Sequence, residues 1–270
     1  MNHFQALMIA AAVSGSLSGQ AQASIVFSHS GNTDPTTEGW AVEPVAFFLD
    51  QRPTATPVSN DQGSGLNAWS IDDNSTFIGT NWFYTQSPST AETTQANTLG
   101  WALRANLRIV DTPDAVGNAG SIILEYANGT TAYRLALGSE ADGDPMALLW
   151  DGGVDPNNTL AATGTLFTLQ NGGAGYHLYE MVYDPLVDSV DLFIDGVERI
   201  SNYAGVSSSL FNRVAWGSAS SSDTGQSNWN QVEFEIAAVP LPAALPLFFS
   251  GLLGLGWIGK SRRHSAPQKR

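Results

Sequence analysis

YHLYEMVYDPLVDSVDLFIDGVERI, residues 176–200, reads as three β-strands joined by two turns. Asp184-Pro185 opens the first turn. Asp195-Gly196 is a two-residue hairpin loop between alternating apolar runs, a sequence suited to the type I′ turn, in which both central residues take positive φ. In the middle strand Val190, Leu192 and Ile194 share one face, and Ser189, Asp191 and Phe193 share the other, since side chains alternate with period two. One face of this meander therefore packs on a core, and the other is polar and partly aromatic.

The same pattern extends in both directions. In residues 99–110 (LGWALRANLRIV) strict alternation puts Trp101, Leu103, Ala105, Leu107 and Ile109 on one face and Arg104, Asn106 and Arg108 on the other, which predicts a long strand. Residues 122–127 and 130–137 flank Asn128-Gly129, a second type I′ signal. Short strands are predicted over 25–27, 39–42, 66–71, 80–84, 147–150, 165–169, 211–217 and 231–236. In the last of these Val232, Phe234 and Ile236 point inward. Residues 53–65 and 87–97 read as polar loops, and 138–145 and 151–158 as acidic, glycine-rich loops. Closely spaced strands, many Gly/Asn/Asp turns and no amphipathic helix predict an all-β, two-sheet antiparallel sandwich.

Charge is unevenly distributed. All 25 acidic residues lie between Asp34 and Glu235, against six arginines and no lysine, a net charge of −19 for that segment. Such a surface repels nucleic acid and anionic lipid. The other five basic residues fall in the last eleven positions. With no cysteine in the chain, disulfides, thiolate zinc sites and a cysteine nucleophile are excluded. Only His29 and His177 lie inside the acidic domain, too few for a histidine metal centre, and no glycine-rich phosphate loop precedes a lysine.

The two ends read as transport signals. Residues 1–23 fit a secretory signal peptide, with an apolar run over 7–13 and a small-x-small cleavage site at Ala21-Gln22-Ala23, before Ser24. Its expected partners are the Sec translocon and signal peptidase. Residues 24–237 are then the β-sandwich domain. Residues 238–270 open with Val239, Pro240, Leu241 and Pro242, continue as an apolar run over about 243–259, and end in Lys260, Arg262 and Arg263. About 17 apolar residues is the lower limit for a spanning helix. The basic cluster predicts a cytoplasmic C-terminus, with the domain on the other side of the membrane.

This tail resembles the PEP-CTERM sorting signal of Gram-negative bacteria, in which a proline motif, a transmembrane helix and a basic end follow one another. Leu241 stands where the usual Val-Pro-Glu-Pro has its acid. The resemblance implies processing by an exosortase, an inner-membrane-anchored precursor, and a final place at the cell surface or in the exopolysaccharide matrix. The domain itself resembles the concanavalin A-like or laminin-G-like jelly roll. Residues 176–183 and 189–196 carry that likeness, together with the closing Asn228-Trp229-Asn230-Gln231-Val232-Glu233-Phe234. It implies a curved sandwich, often carbohydrate-binding and sometimes hydrolytic.

Glycosidases of that class place acids as Glu-x-Asp-x-x-Glu, because two carboxylates at defined spacing do the chemistry. Glu233 and Glu235 begin such a pattern but Ala238 ends it, and Glu140 and Asp142 begin another that Pro145 ends. No catalytic residue is assigned. Sugar rings stack on exposed aromatics, for which Trp82, Tyr84, Trp150, Tyr179, Phe193 and Trp229 are the candidates. Asp142, Asp144, Asp151 and Asp155 supply oxygen ligands suited to calcium, the one cofactor the sequence suggests. The expected function is an exported, non-catalytic, polysaccharide-binding surface or matrix protein. An extracellular glycoside hydrolase or lyase of the same fold is the alternative, and a purely structural surface protein the second alternative.

Overall fold

The computed structural model describes residues 23–45, 53–73, 81–111, 122–140, 142–155, 158–208, 210–218 and 225–237. Nearly all of the predicted signal peptide and sorting signal lies outside them, including Ala21, residues 239–242, Lys260, Arg262 and Arg263. Among the described residues no helix is long and apolar enough to cross a membrane.

The strands, in chain order, are β1 Ser24–Ser30, β2 Ala41–Val45, β3 Thr54–Val58, β4 Ala68–Asp73, β5 Asn81–Gln86, β6 Trp101–Asp111, β7 Ile122–Asn128 and β8 Thr131–Ser139. They continue as β9 Pro145–Asp155, β10 Asn158–Thr168, β11 Tyr176–Asp184, β12 Ser189–Ile194, β13 Val197–Tyr203, β14 Val206–Ser207, β15 Asn212–Ser218 and β16 Gly225–Ile236. Among the described residues there are one α-helix, α1 Thr90–Leu99, and two 3-10 turns, Pro35–Glu38 and Asp61–Gly63. The first sheet runs β13-β12-β11-β6-β16-β4-β3, with β1 also on β16; the second runs β10-β9-β8-β7-β15-β5-β2, with β14 on β8. Every pairing in both is antiparallel. The all-β two-sheet sandwich expected from the sequence is therefore the fold.

Alternation sets the core. Trp101, Leu103, Ala105, Leu107 and Ile109 of β6 face inward, as do Val190, Leu192 and Ile194 of β12 and Val232, Phe234 and Ile236 of β16. They meet Leu124, Tyr126, Leu135, Leu137, Leu149, Val214 and Trp216 from the second sheet. Trp216 is a hub. Tyr84 stacks on it at 4.7 Å, and the rings of Trp229 and Trp40 lie at 5.1 and 5.7 Å. Offset and edge-on aromatic pairs of this kind add to the burial energy of large rings.

Four local readings are corrected. Residues 87–97 are not a loop: α1 begins at Ser89, which caps Glu92 N–H while the Glu92 carboxylate accepts from Ser89 N–H at 2.7 Å. This capping box sustains a helix that buries only Ala96. Residues 53–65 hold β3, whose Pro57 is tolerated because β3 is an edge strand. The predicted acidic loop at 151–158 instead extends β9 through Asp155 and begins β10 at Asn158. Asp195 and Gly196 both have positive φ, as the type I′ turn needs. At the other hairpin the two-residue loop is Gly129-Thr130, and Asn128 instead accepts hydrogen bonds at Oδ1 from the N–H groups of Thr130 and Thr131.

Candidate functional site

The outward faces of the two sheets carry different polar clusters. On the first sheet, Arg108 of β6 donates twice to Asp61, at 2.7 and 2.9 Å. Tyr176 and Asn228 each donate to the same carboxylate at 2.8 Å. Burial alone would raise the Asp61 pKa. The hydrogen bonds from Arg108, Asn228 and Tyr176 outweigh that and hold it below the usual carboxylate range. Asp61, Arg108 and Asn228 are all buried, so this cluster pins the 3-10 turn Asp61–Gly63 to the sheet.

On the second sheet the cluster opens onto a cavity. Glu125 of β7, 1% exposed, accepts from Arg134 of β8 at 2.7 Å and from Arg213 of β15 at 3.1 Å. Arg213 also bridges to Glu43 of β2 at 3.0 Å, and Glu43 accepts from Thr85 of β5 at 3.2 Å. The row thus crosses β2, β5, β15, β7 and β8. Each arginine also faces an aromatic ring: Arg134 lies 4.7 Å from the Trp150 ring centre and Arg213 4.0 Å from that of Phe211. Cations over ring faces at such distances are attracted by the ring quadrupole.

Above this row is a cavity of about 180 Å³, lined in part by Glu125, Arg134, Trp150, Ser207, Ser208 and Phe211. Three features of the chain build it. Trp150 is held by its indole N–H, which donates to the Gly153 carbonyl at 3.0 Å. The short β14 pairs with β8 through Val206–Ala132 and Ser207–Thr131, and so forms a wall. Gly152, at φ +89°, lets that wall close in, because a Cβ there would lie 2.6 Å from Val206 Cγ1. Leu210 and Phe211 form an apolar lip, 79% and 42% exposed.

A larger cleft of about 670 Å³ lies between β1 and β2 and is lined in part by Phe27, Ser28, Glu38, Glu43 and Gln86. Its aromatic is already engaged, since Phe27 stacks on Phe234 at 6.1 Å and meets Trp40 edge-on at 6.0 Å. Glu38 is engaged as well, on the buried His29 at 2.6 Å. Burial lowers the pKa of His29 despite that carboxylate. The smaller cavity is therefore the one that combines polar groups with aromatic faces turned away from the core.

The six aromatic candidates separate cleanly. Tyr84, Tyr179 and Trp229 are buried in the core and have no face for a ligand, which corrects their reading as stacking platforms. Trp82 is half-buried and packs against the core cluster. Phe193 is half-buried on the outward face of β12. Trp150 alone of the six lines the cavity. Phe211, Arg134 and Glu125 were missed by the sequence reading.

The three described aspartates of the calcium candidates, Asp142, Asp144 and Asp151, are each engaged by groups of the chain. Asp142 Oδ1 accepts from Asp144 N–H at 3.1 Å, and Asp144 accepts from the N–H groups of Asn171 and Gly173 at 2.7 and 3.1 Å. Asp151 accepts from Thr163 at 2.6 Å and Gly153 N–H at 2.9 Å, and these bonds lower its pKa. The side chain of Asp155 lies outside the described set. Among the described residues no three His, Asp or Glu groups are placed to hold a metal ion. The acids of the broken glycosidase patterns are occupied too: Glu235 pairs with Arg104 at 2.8 Å, Glu233 accepts from Gln231 at 2.6 Å, and Glu140 accepts from Thr168 at 3.1 Å.

Comparison with known proteins adds a family and a fold. The family described as Vibrio cholerae sialidase, lectin insertion, matches residues 73–241. The sialidase of Vibrio cholerae serotype O1 is 27% identical over 173 residues, which is 64% of this chain. The chain spans 20% of the length of that curated relative, whose remaining length has no counterpart in the alignment. Among solved structures, a conserved carbohydrate esterase from the Shiga toxin-encoding bacteriophage phi24B superposes with a TM-score of 0.56 at 13% identity. The match covers 80% of this chain and all of that one, and shows a shared fold.

Proposed function

The chain belongs to the Vibrio cholerae sialidase lectin-insertion family, and from that premise we propose a non-catalytic carbohydrate-binding β-sandwich whose ligand enters the Trp150 groove. The observation that carries the reading is the juxtaposition at that cavity of an aromatic face, two serines and the Arg134–Glu125 pair. A sugar ring presents an apolar face for Trp150 or Phe211 and hydroxyls that both donate and accept. The groove offers donors on Arg134 and acceptors on Glu125. Sites for small polar ligands are typically built this way, from an apolar wall and a few convergent polar groups.

The test is a glycan array and titration calorimetry on the full-length protein beside its Trp150→Ala variant. Saturable binding that the variant loses, with the unfolding midpoint nearly kept, supports the reading. Absence of binding to every glycan, or binding indifferent to Trp150, overturns it. Release of sugar from a bound glycan would make the protein an enzyme.

The proposal includes export. Residues 1–23 would direct secretion, with cleavage after Ala23, and residues 238–270 would act as a PEP-CTERM-type signal read by an exosortase at the inner membrane. What supports this is the order of the proline motif 239–242, the apolar run and Lys260, Arg262 and Arg263. Deleting residues 239–270 should release the protein into periplasm or medium. A truncated protein that still sediments with membranes would refute the anchor.

A further inference from the structure

We propose, resting on the membrane-anchor reading of residues 238–270, that the hairpin tip between β11 and β12 is a lipid contact. While the chain is anchored, Leu186 and Val187 dip into the headgroup region of a bilayer of zwitterionic lipid.

The tip is apolar and firmly built. Leu186 is 92% exposed and Val187 beside it 61% exposed. Two adjacent apolar side chains left in water forgo the free energy that burial would return. The turn that displays them is fixed by other groups. Leu186 N–H donates to Asp184 Oδ1 at 2.8 Å, and Val187 N–H to the Asp184 carbonyl at 3.3 Å. The Tyr183 hydroxyl donates to Asp188 Oδ1 at 2.8 Å. Both carboxylates are thus turned back onto the hairpin, and little order remains to be lost when the apolar pair meets a surface.

The place of the tip argues for lipid as the occupant. Tyr183 of β11 pairs with Trp101 of β6, and Trp101 pairs with Ile236 of β16, so the tip and the end of β16 lie at the same edge of the first sheet. Ala237 N–H donates to the Gly100 carbonyl at 3.0 Å, and a Cβ on Gly100 would lie 3.4 Å from Pro185 Cδ and 3.9 Å from Ala237 Cβ. β1 begins at this edge as well, with Ser24 opposite Ile236 and Ile25 54% exposed. Strand order therefore sets Ala237 between Ile25 on one side and Leu186 and Val187 on the other. From Ala237, residues 238–242 precede the apolar run that begins at about 243, and that link reaches at most about 18 Å. A tether so short gives the tip a high effective concentration at the bilayer, so two side chains suffice where a free domain would not stay.

Charge selects the lipid. Asp184 and Asp188 flank the apolar pair, and the domain around them carries 25 acids against six arginines. Anionic headgroups would repel this edge within a Debye length. Val197 supplies an internal control. It is 49% exposed but lies at the far end of β12, six residues or roughly 20 Å from the tip.

The experiment uses the full-length chain, expressed with its signal, recovered from the membrane fraction and reconstituted in phosphatidylcholine vesicles. The chain has no cysteine, so Leu186→Cys and Val197→Cys each carry a single environment-sensitive dye, read against a quencher on the lipid headgroups. The dye at 186 should be quenched at least roughly threefold more than the dye at 197. Phosphatidylglycerol in the vesicles should shrink that difference. With the dye at Ile25→Cys, the further changes Leu186→Ser and Val187→Ser should lower quenching while membrane recovery and the unfolding midpoint hold. Equal quenching at 186 and 197 in protein that sediments with vesicles overturns the lipid contact and leaves the anchor standing. So does a dye at Ile25 indifferent to the two serines. Stronger quenching at 186 on phosphatidylglycerol overturns the choice of zwitterionic lipid. A full-length chain absent from the membrane fraction removes this inference together with the anchor reading it rests on.

Discussion

The Asp61 and Glu125 arginine–carboxylate clusters, on the outward faces of the two sheets, differ in what surrounds the charge. At Asp61 the carboxylate receives Arg108 bidentately, Tyr176 and Asn228, so the cluster closes on itself beneath a turn. At Glu125 the carboxylate is equally buried, but its arginines extend beneath aromatic rings at the edge of a cavity. On the proposed reading the same residue types do two jobs. Where the carboxylate takes all its donors from the chain beneath a turn, the pair fixes a loop. Where the partners lead out to a half-buried tryptophan and a lip of exposed side chains, the pair lies at the edge of a cavity, which is the proposed ligand site. An ion pair by its composition alone says nothing about which of the two it is.

The sharpest way to break this comparison is Asp61→Ala. It leaves Arg108 buried without its carboxylate, and removing one partner of a buried pair costs about 3–5 kcal/mol. Urea unfolding should show that loss, while the affinity for glycans of the protein that remains folded stays the same. A loss under about 1 kcal/mol would mean the cluster does not lock the turn. Next in size is Trp150→Ala, for which titration calorimetry should record at least a tenfold loss of glycan affinity, about 1.4 kcal/mol. A variant that binds as tightly as the parent would move the ligand elsewhere on the surface.

Gly152→Ala is a subtler probe of the same side. A Cβ at φ +89° and 2.6 Å from Val206 should cost about 1 kcal/mol or somewhat more. It should weaken glycan binding by displacing β14 while leaving the Asp61 cluster intact. The smallest effect is in pH. The folded pKa of Asp61 is depressed, so its contribution is complete above the unfolded carboxylate value of about 3.9. The contribution is lost as pH falls through the folded value. Stability followed by denaturant unfolding should therefore show an acid limb below about pH 4, reduced in Asp61→Asn. It is smaller than the alanine effect because a protonated Asp61 keeps part of its hydrogen bonding. An acid limb unchanged in Asp61→Asn would assign it to other carboxylates.

Much of the frame was legible because period-two alternation is a direct record of which side of a sheet meets the core. Residues 99–110 and 189–194 fell onto the predicted faces, and Asp195-Gly196 adopted its turn. The misreadings have physical reasons. In α1 there was no apolar stripe to find, since Ala96 is the one buried residue, and the usable signal was the Ser89-x-x-Glu92 spacing. Around β3 two prolines, Pro53 before it and Pro57 within it, suggested a loop, and only the sheet order places that strand at an edge where Pro57 fits. In β9 both faces are apolar: Ala147 and Leu149 join the main core, while Met146 and Leu148 are buried on the other side. Parity there could not say which way Trp150 points.

The sequence by itself determined the class of the fold, the strongly acidic character of the domain and the absence of cysteine chemistry, because these follow from local periodicity and from composition. It also carried the terminal patterns that suggest export and sorting. Only the tertiary structure decided which aromatics are available. Tyr84, Tyr179 and Trp229 are consumed by the contact of two sheets, and Trp150 is left on the outward side. It also decided that Glu125, Arg134, Trp150, Ser207 and Phe211, spread over nearly ninety positions of chain, line one cavity. Strand order brings them together, and strand order is set by nonlocal antiparallel pairing that no local pattern in the chain encodes.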